Sequence, residues 1–364
     1  MRTIEVVAGL AALALTNCAA SDEDAATDTT AQTATVNGKK LFEDETFGGN
    51  GRTCATCHDA DSGTVSPAEA QARFAVNPND ALFRSIDSDD GIGTSYNRLL
   101  ADATIRVTIA LPPNWSLADD PSARSVTFRR AIPSTLNVPS FDPLLMLDGR
   151  NSSLQQQAHG AINSHYEPGR QPTTEELDAI AAHQQTNKFF SNNALKDFAN
   201  GEGPAPELPL GTTASEQRGR QWFVTSATGI CSHCHGGPML NETTEFLLAP
   251  LPPGSRFFTA FVSEFNKAGN PVRTFVITNP DGTTTQLASP DPGRALITGD
   301  PRDANFFRIP TLWGASKTGP WFHDNSAKTL EQLAQHYSDY FQIVGLPPLT
   351  AQQQADIIAY LKLL

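Results

Sequence analysis

Three scarcities narrow the chain's function. No apolar run reaches the length of a membrane span: residues 6–15 are wholly apolar but fall well short of the roughly 20 residues a transmembrane helix needs. Positive charge is scarce too, with 26 Lys and Arg against 39 Asp and Glu and a formal net charge of −13, unchanged when Arg2 and Glu5 are set aside. That balance excludes nucleic acid as a natural partner and suits a basic protein or a neutral small molecule. Sulfur is the third. The chain has five cysteines and three methionines in 364 residues, and beyond Met1 only Met146 and Met239 remain.

Four of the five cysteines fall in two copies of one pentapeptide, Cys54-Ala-Thr-Cys57-His58 and Cys231-Ser-His-Cys234-His235. The spacing has a chemical reason. Two residues between the thiols let both sulfurs reach neighbouring vinyl groups of one porphyrin, and the following histidine then points at the metal, as in c-type haem attachment. No cysteine is left to complete a four-thiolate zinc cluster. A zinc site of mixed Cys and His ligands is the remaining alternative. The expectation is two covalently bound haem c groups, with His58 and His235 as iron ligands.

The fifth cysteine stands apart. Arg2, the apolar run and the small residues after it read as a secretion signal. Leu15-Thr-Asn-Cys18 resembles a lipoprotein box in which Cys18 becomes the acylated first residue, although Asn17 stands where a smaller residue is usual. The alternative is ordinary cleavage near Ala19-Ala20. Either route exports the chain to the periplasm, where haem attachment takes place. Residues 1–18 are therefore read as a signal with a lipobox, and the acidic, aperiodic residues 19–36 as a disordered tether.

The rest of the chain repeats loosely. Gly38-Lys-Lys-Leu-Phe42 precedes the first pentapeptide and Gly219-Arg-Gln-Trp-Phe223 the second, so Phe42 and Phe223 are expected at a porphyrin edge. Ile132-Pro-Ser-Thr-Leu136 leads to Asp148-Gly-Arg-Asn-Ser-Ser-Leu154, and Ile309-Pro-Thr-Leu312 leads to Asp324-Asn-Ser-Ala-Lys-Thr-Leu330, a polar turn with helix-capping residues in each case. Residues 201–211 are too rich in Pro and Gly for a helix and read as a linker. The expected domains are 37–200 and 213–364, joined by 201–212. Helical pattern is concentrated at 38–46, 67–74, 153–163, 173–199, 214–226, 328–342 and 350–363. Period-2 alternation at 105–111 and 272–278 suggests small hairpins. The expected fold is mainly α: two cytochrome-c-like haem domains with long irregular loops and a few short hairpins.

Two segments make the pattern recognisable. Ile309-Pro-Thr-Leu-Trp-Gly-Ala-Ser-Lys-Thr-Gly-Pro-Trp-Phe-His-Asp324, with Thr329-Leu330-Glu331, and Asp148-Gly-Arg150 with Leu154, Gln157 and Glu167, resemble the bacterial di-haem cytochrome c peroxidases and the related MauG enzymes. The resemblance covers most of residues 37–364. It implies that the N-terminal haem meets hydrogen peroxide, that Glu167 moves the proton between peroxide oxygens, and that Gln157 orients peroxide or a pocket water. His159 and His165 are alternatives to Glu167, as distal base or as iron ligand. Several relatives close this haem with a histidine on a loop after the first motif. Here no histidine lies between His58 and His159, so the first haem is expected to be open in the oxidised state unless His159 or His165 folds over it.

The resemblance also implies that the C-terminal haem passes electrons. Its sixth ligand in the peroxidases is a methionine fourteen residues past the Phe-His pair, and counting from His323 gives Tyr337; a tyrosine holds that place in MauG-type enzymes. The alternatives are His336, or Tyr337 as a plain core aromatic. Leu147 stands where relatives carry an inter-haem tryptophan, leaving Trp115, Trp313 or a propionate path as substitutes. An interdomain calcium would use Thr318 and Pro320, but Ala131 falls where its asparagine ligand is expected. The implied activity is peroxide reduction with electrons from a small redox protein, a cytochrome c or cupredoxin. The alternatives are oxidation of a protein or organic substrate, or electron carriage without catalysis. Relatives are often homodimers.

Overall fold

Gly38 and Gly219 each lie directly beneath a backbone carbonyl of a helix more than a hundred residues away. A Cβ on Gly38 would collide with the carbonyl oxygen of Ala179, and one on Gly219 with that of Asp356. In this computed structural model, which describes residues 36–247, 251–267 and 269–364, these contacts join two pairs of crossing helices: α1 (Gly38–Glu43) with α7 (Thr174–Gln184), and α9 (Ala214–Arg220) with α13 (Ala351–Leu361). The likeness extends further. Phe42 meets His183 at 5.5 Å between ring centroids, and Phe223 meets Tyr360 at 5.4 Å. Helices α7 and α13 both open on a capping box, Thr173 with Glu176 and Thr350 with Gln353. The repeat seen in the sequence is thus a repeat of helix packing. The apolar run, Cys18 and all of the tether except residue 36 lie outside the described residues.

Between the paired helices run α2 (Cys54–Cys57), α3 (Pro67–Val76), α4 (Asn97–Asp102), α5 (Val138–Phe141), α6 (Leu154–His165), α8 (Asn193–Ala199), α10 (Val262–Phe265), α11 (Ala295–Thr298) and α12 (Leu330–Ile343). Most are short, and the helix expected over 173–199 is broken. α7 ends at Gln184, the Thr186 hydroxyl donates to the His183 carbonyl, and the chain turns so that Phe189 meets Phe42 edge-on at 5.4 Å. Asn192 then caps α8 by accepting from Leu195 N. The tertiary contact of Phe189 outweighs the helical pattern.

Seven strands form three small sheets among the described residues. β1 (Thr104–Ala110) pairs antiparallel with β3 (Ser125–Ala131), Thr104 opposite Ala131. β2 (Trp115–Leu117) leaves that pair to join β5 (Arg273–Thr278), which forms a hairpin with β6 (Thr284–Ser289). β4 (Phe257–Phe258) pairs with β7 (Phe307–Arg308). The expected hairpin at 272–278 forms; the strand at 105–111 is instead paired across the excursion that carries β2. The two halves of the chain therefore share a sheet. Helices are the more numerous elements, but the β-structure is more extensive than the alternation pattern suggested.

Three main apolar cores fill the described unit. One surrounds Phe42, Phe47, Ile162, Tyr166 and Ile180 beside Cys54. A second, around Phe83, Tyr96, Val107, Phe128 and Phe275, touches Cys57. The third, around Phe223, Met239, Trp313, Phe341 and Tyr360, touches Cys231. Trp115 and Trp313 each close a core and donate an indole hydrogen bond, to Gly299 O at 3.2 Å and Pro238 O at 2.9 Å. No helix of the described residues is long and apolar enough to cross a membrane.

Candidate haem sites

The first pentapeptide folds as a single turn of helix because Thr53 and Thr56 cap it reciprocally, and His58 follows with its amide on Cys54 O at 3.0 Å. The His58 ring is then locked. Its Nδ1 lies 2.7 Å from Gly63 O, which also accepts from Thr135 N at 3.1 Å. With Nδ1 donating to a carbonyl, Nε2 carries the lone pair. Gly63 sits at φ 67, and a Cβ there would press on Thr135 Oγ1, so this close approach needs glycine. The echo segment 132–136 is therefore the strap that fixes the proximal ring. A cavity of about 340 Å³ opens against His58, walled by Phe42, Leu136 and Phe189.

The second site repeats the device. His235 Nδ1 lies 2.8 Å from Leu240 O, five residues on as Gly63 is from His58. Burial lowers the pKa of both imidazoles, against the opposing pull of these backbone bonds, so both rings are held neutral. Burial also pushes Cys54 up to about 11, and Cys231 and Cys234 up to about 12, so the thiols are protonated. All four are free of disulfides. Among the described residues no group of three or more His, Cys, Asp and Glu is arranged to hold a metal ion. Paired neutral thiols beside an imidazole whose Nδ1 is held by a carbonyl fit a covalently held haem.

The end of α6 and the turn after it are tied to the segment of the first pentapeptide. Asn50 N donates to Tyr166 O at 2.7 Å, Asn50 Nδ2 donates to His165 O at 3.0 Å and to Glu167 Oε2 at 2.9 Å, and Tyr166 OH donates to Cys54 Sγ at 3.2 Å. The segment 165–167 is thus fastened to the segment that carries the pentapeptide. Glu167 adopts φ 50 and its carboxylate is exposed. Gln157 is half-buried on α6. His159 faces solvent and pairs with Asn163, Nδ2 to Nε2 at 3.2 Å. His165 turns inward. Its Nδ1 is buried 4.0 Å from Asp87 Oδ2, and Asp87 accepts from Arg52 Nη1 at 2.6 Å. Sequence reasoning missed Asn50, Arg52, Asp87 and Tyr166. Nothing in the local pattern ties Asp87 to this place, since its contacts come from residues far away in the chain.

At the second site, α12 carries both candidate ligands. Tyr337 and His336 are neighbours on a helix and so point about 100° apart. Tyr337 lies within electrostatic reach of Cys234 and Cys231, and burial raises its hydroxyl pKa well above the usual value. His336 instead places Nε2 2.8 Å from Ala260 O, with its ring against Phe322 and Phe265 at 4.3 and 5.1 Å. Met239, four residues past His235, is buried in the C-terminal core.

Arg130 organises the region around Leu147. It donates to Asp148 at 2.5 Å and to both oxygens of Asp291 at 2.7 and 2.8 Å, all three side chains being buried. Phe307 lies under Arg130 and stacks on His323 at 3.6 Å with planes 6° apart. The turns at Leu145–Asn151 and Trp321–Ala327 have the same bridge and left-handed residues at matching places, Met146 with Gly149 and Phe322 with Asn325, so Leu147 is the counterpart of His323. The Thr318 hydroxyl donates to Ala315 O at 3.3 Å, and Ala131 brings only a methyl. Calcium takes six to eight oxygens, usually with carboxylate charge. Thr318 and Pro320 supply no charge, and we assign no calcium here.

Residues 33–200 match a family described as di-haem cytochrome c peroxidase. The chain resembles that family over just under half of its length. Among curated members of the di-haem peroxidases, it is 25% identical over 194 residues to cytochrome-c peroxidase IdrP1 of Pseudomonas sp. (strain SCT), covering 51% of this chain and 48% of the relative. It is 42% identical over 50 residues to the cytochrome c551 peroxidase of Nitrosomonas europaea, covering 14% and 15%. The chain spans about half or less of the length of the curated relatives it matches. A solved MauG-like protein associated with microbial copper homeostasis has a similar fold, with TM-score 0.51 and 19% identity over 89% of this chain and 86% of that one.

Proposed function

We propose that the protein is a peroxide-dependent oxidoreductase. Hydrogen peroxide is reduced at the haem held by Cys54, Cys57 and His58, and electrons are relayed through the haem held by Cys231, Cys234 and His235. One observation carries this reading: two sites with the same proximal lock, His58 on Gly63 O and His235 on Leu240 O, have different far sides. We read the first as faced by proton-bearing groups and the second by the buried phenol of Tyr337. When bound, haem supplies an iron that takes up peroxide and stores electrons. The chain's own residues orient the imidazoles, hold the thiols dry and present groups that move protons. Glu167, exposed and held by Asn50, is placed to exchange protons with solvent, and Gln157 to orient peroxide or water. Tyr337 is assigned as the sixth ligand of the second haem.

The electron donor is read as a small redox protein, a cytochrome c or cupredoxin, with a basic face to meet a chain of net charge −13. Export to the periplasm, a lipid on Cys18 and a homodimer belong to the same proposal, as do the two haem domains at 37–200 and 213–364. A second reading, in which peroxide is used to oxidise a protein or organic substrate, is favoured by Tyr337. A phenolate is a hard anionic donor that stabilises high oxidation states of iron, unlike the methionine of an electron-transfer haem. A pure electron carrier would need both irons saturated and would leave Glu167 and Gln157 without a task.

Stopped-flow absorbance of the oxidised holoprotein with stoichiometric hydrogen peroxide separates these readings. Rapid change of a high-spin Soret band is the expected result. Absence of any change, both before and after reduction of the second haem, would leave the electron carrier.

A further inference from the structure

We infer that His165, oriented by Asp87, is the residue that carries the proton between the two oxygens of peroxide at the first haem, with Glu167 behind it as the exchange point with solvent. The inference rests on the peroxide reading above and names the inner proton carrier of that site.

His165 is the last residue of α6, and its position is fixed through the backbone. Its carbonyl accepts from Asn50 Nδ2 at 3.0 Å and from Arg52 Nη1 at 3.4 Å, both from the segment leading into the first pentapeptide. The next residue, Tyr166, bonds to Cys54 Sγ. These bonds hold the ring close to the first pentapeptide, within electrostatic reach of His58, Arg52 and Arg150. Its two nitrogens differ. Nδ1 is sealed 4.0 Å from the buried carboxylate of Asp87 and has no hydrogen-bond partner, while Nε2 makes no bond and keeps the ring's remaining access to open space. A carboxylate behind Nδ1 favours the tautomer with its proton there and a lone pair on Nε2, the arrangement of a general base with its orienting group. Burial, opposed by Asp87, pushes the imidazole down to about 4, which keeps Nε2 unprotonated near neutrality. Glu167 differs on each count: it is exposed, and its carboxylate is held by Asn50.

The step balances. Nε2 takes the proton from the inner oxygen of hydrogen peroxide and returns it to the outer oxygen, which departs as water when the O–O bond breaks. Two electrons, delivered through the haems from a one-electron redox protein, and two solvent protons convert the inner oxygen to the second water.

The test uses the oxidised holoprotein as wild type, His165→Ala, His165→Gln and, as a control, His159→Ala, each first shown to hold two haems by its pyridine haemochrome. Two probes are mixed in stopped flow: hydrogen peroxide, and cyanide at neutral pH, where hydrogen cyanide must also lose a proton to bind. Both His165 variants should slow association of each probe by about 10²–10⁴-fold, with partial rescue of the alanine variant by added imidazole, and His159→Ala should match wild type. Unchanged rates in both His165 variants overturn the inference. So does a resting low-spin spectrum that becomes high-spin in His165→Ala with faster binding, because His165 would then be an iron ligand. If wild type ignores peroxide but cyanide binding slows in the variants, the peroxide reading fails while the proton-accepting role of His165 stands.

Discussion

Arg130 and Asp148 are joined by a buried hydrogen bond of 2.5 Å that ties strand β3 to the turn before α6. The same guanidinium grips Asp291 with two further bonds, so one side chain holds three distant parts of the chain together. Arg130 is worth little as a net source of stability while its partners are present, because desolvating the charges offsets most of their attraction. Removing it is different. Arg130→Leu leaves two buried carboxylates, one of them still met by Arg150, and should cost about 3–5 kcal/mol in denaturant unfolding. A loss below about 1 kcal/mol would mean that water reaches the network.

The two glycine crossings should be separable. Gly38→Ala forces α1 away from Ala179, and Gly219→Ala forces α9 away from Asp356. Each should destabilise by about 1–3 kcal/mol. Because α1 leads to the first pentapeptide and α9 to the second, the optical signature of the first haem should shift in one variant and that of the second in the other. The same spectral change in both would show that the crossings do not act locally.

On α12, Tyr337→Met should raise the reduction potential of the second haem and replace the phenolate signature of its oxidised spectrum. His336→Ala should leave that spectrum intact, since its ring is committed to Ala260 O. Potentiometric titration of the three proteins checks both halves. A shift in His336→Ala with none in Tyr337→Met would reverse the assignment.

Asp356 gives a pH dependence. Hydrogen bonds from Arg218, and with them Ser215 and Gln352, pull its carboxyl down to about 2. A depressed carboxylate stabilises the fold above its unfolded pKa of about 3.9 and loses that contribution as pH falls through the folded value. Acid unfolding of wild type should therefore steepen between roughly pH 4 and 2, and Asp356→Asn should flatten that limb while being less stable at neutral pH. Parallel acid limbs in the two proteins would count against the assignment.

What could be read along the chain was what depends on near neighbours. The two pentapeptides, the Gly-x-x-x-Phe starts before them, the capped turns before Leu154 and Leu330 and the alternation of β1 and β5 are set by spacings of a few residues, and each appears where it was expected. The strap function of 132–136, the pairing of β2 with β5 and the Arg130 network depend on contacts across tens to hundreds of residues, which no local period encodes. The same limit governs the site. Gln157 and Glu167 lie at recognisable offsets, but offset does not say which way a side chain turns once the helix ends. The bonds from Asn50 and Arg52 hold the turn that leaves Glu167 facing out and His165 facing in, and the register of α12 sets Tyr337 within electrostatic reach of the thiols and turns His336 to Ala260. Sequence alone determined that the chain carries two attachment sites in a repeated helical frame, because both are local chemistry. Only the tertiary structure decided which residues face each site, because that choice is made by long-range packing and by the burial of charge.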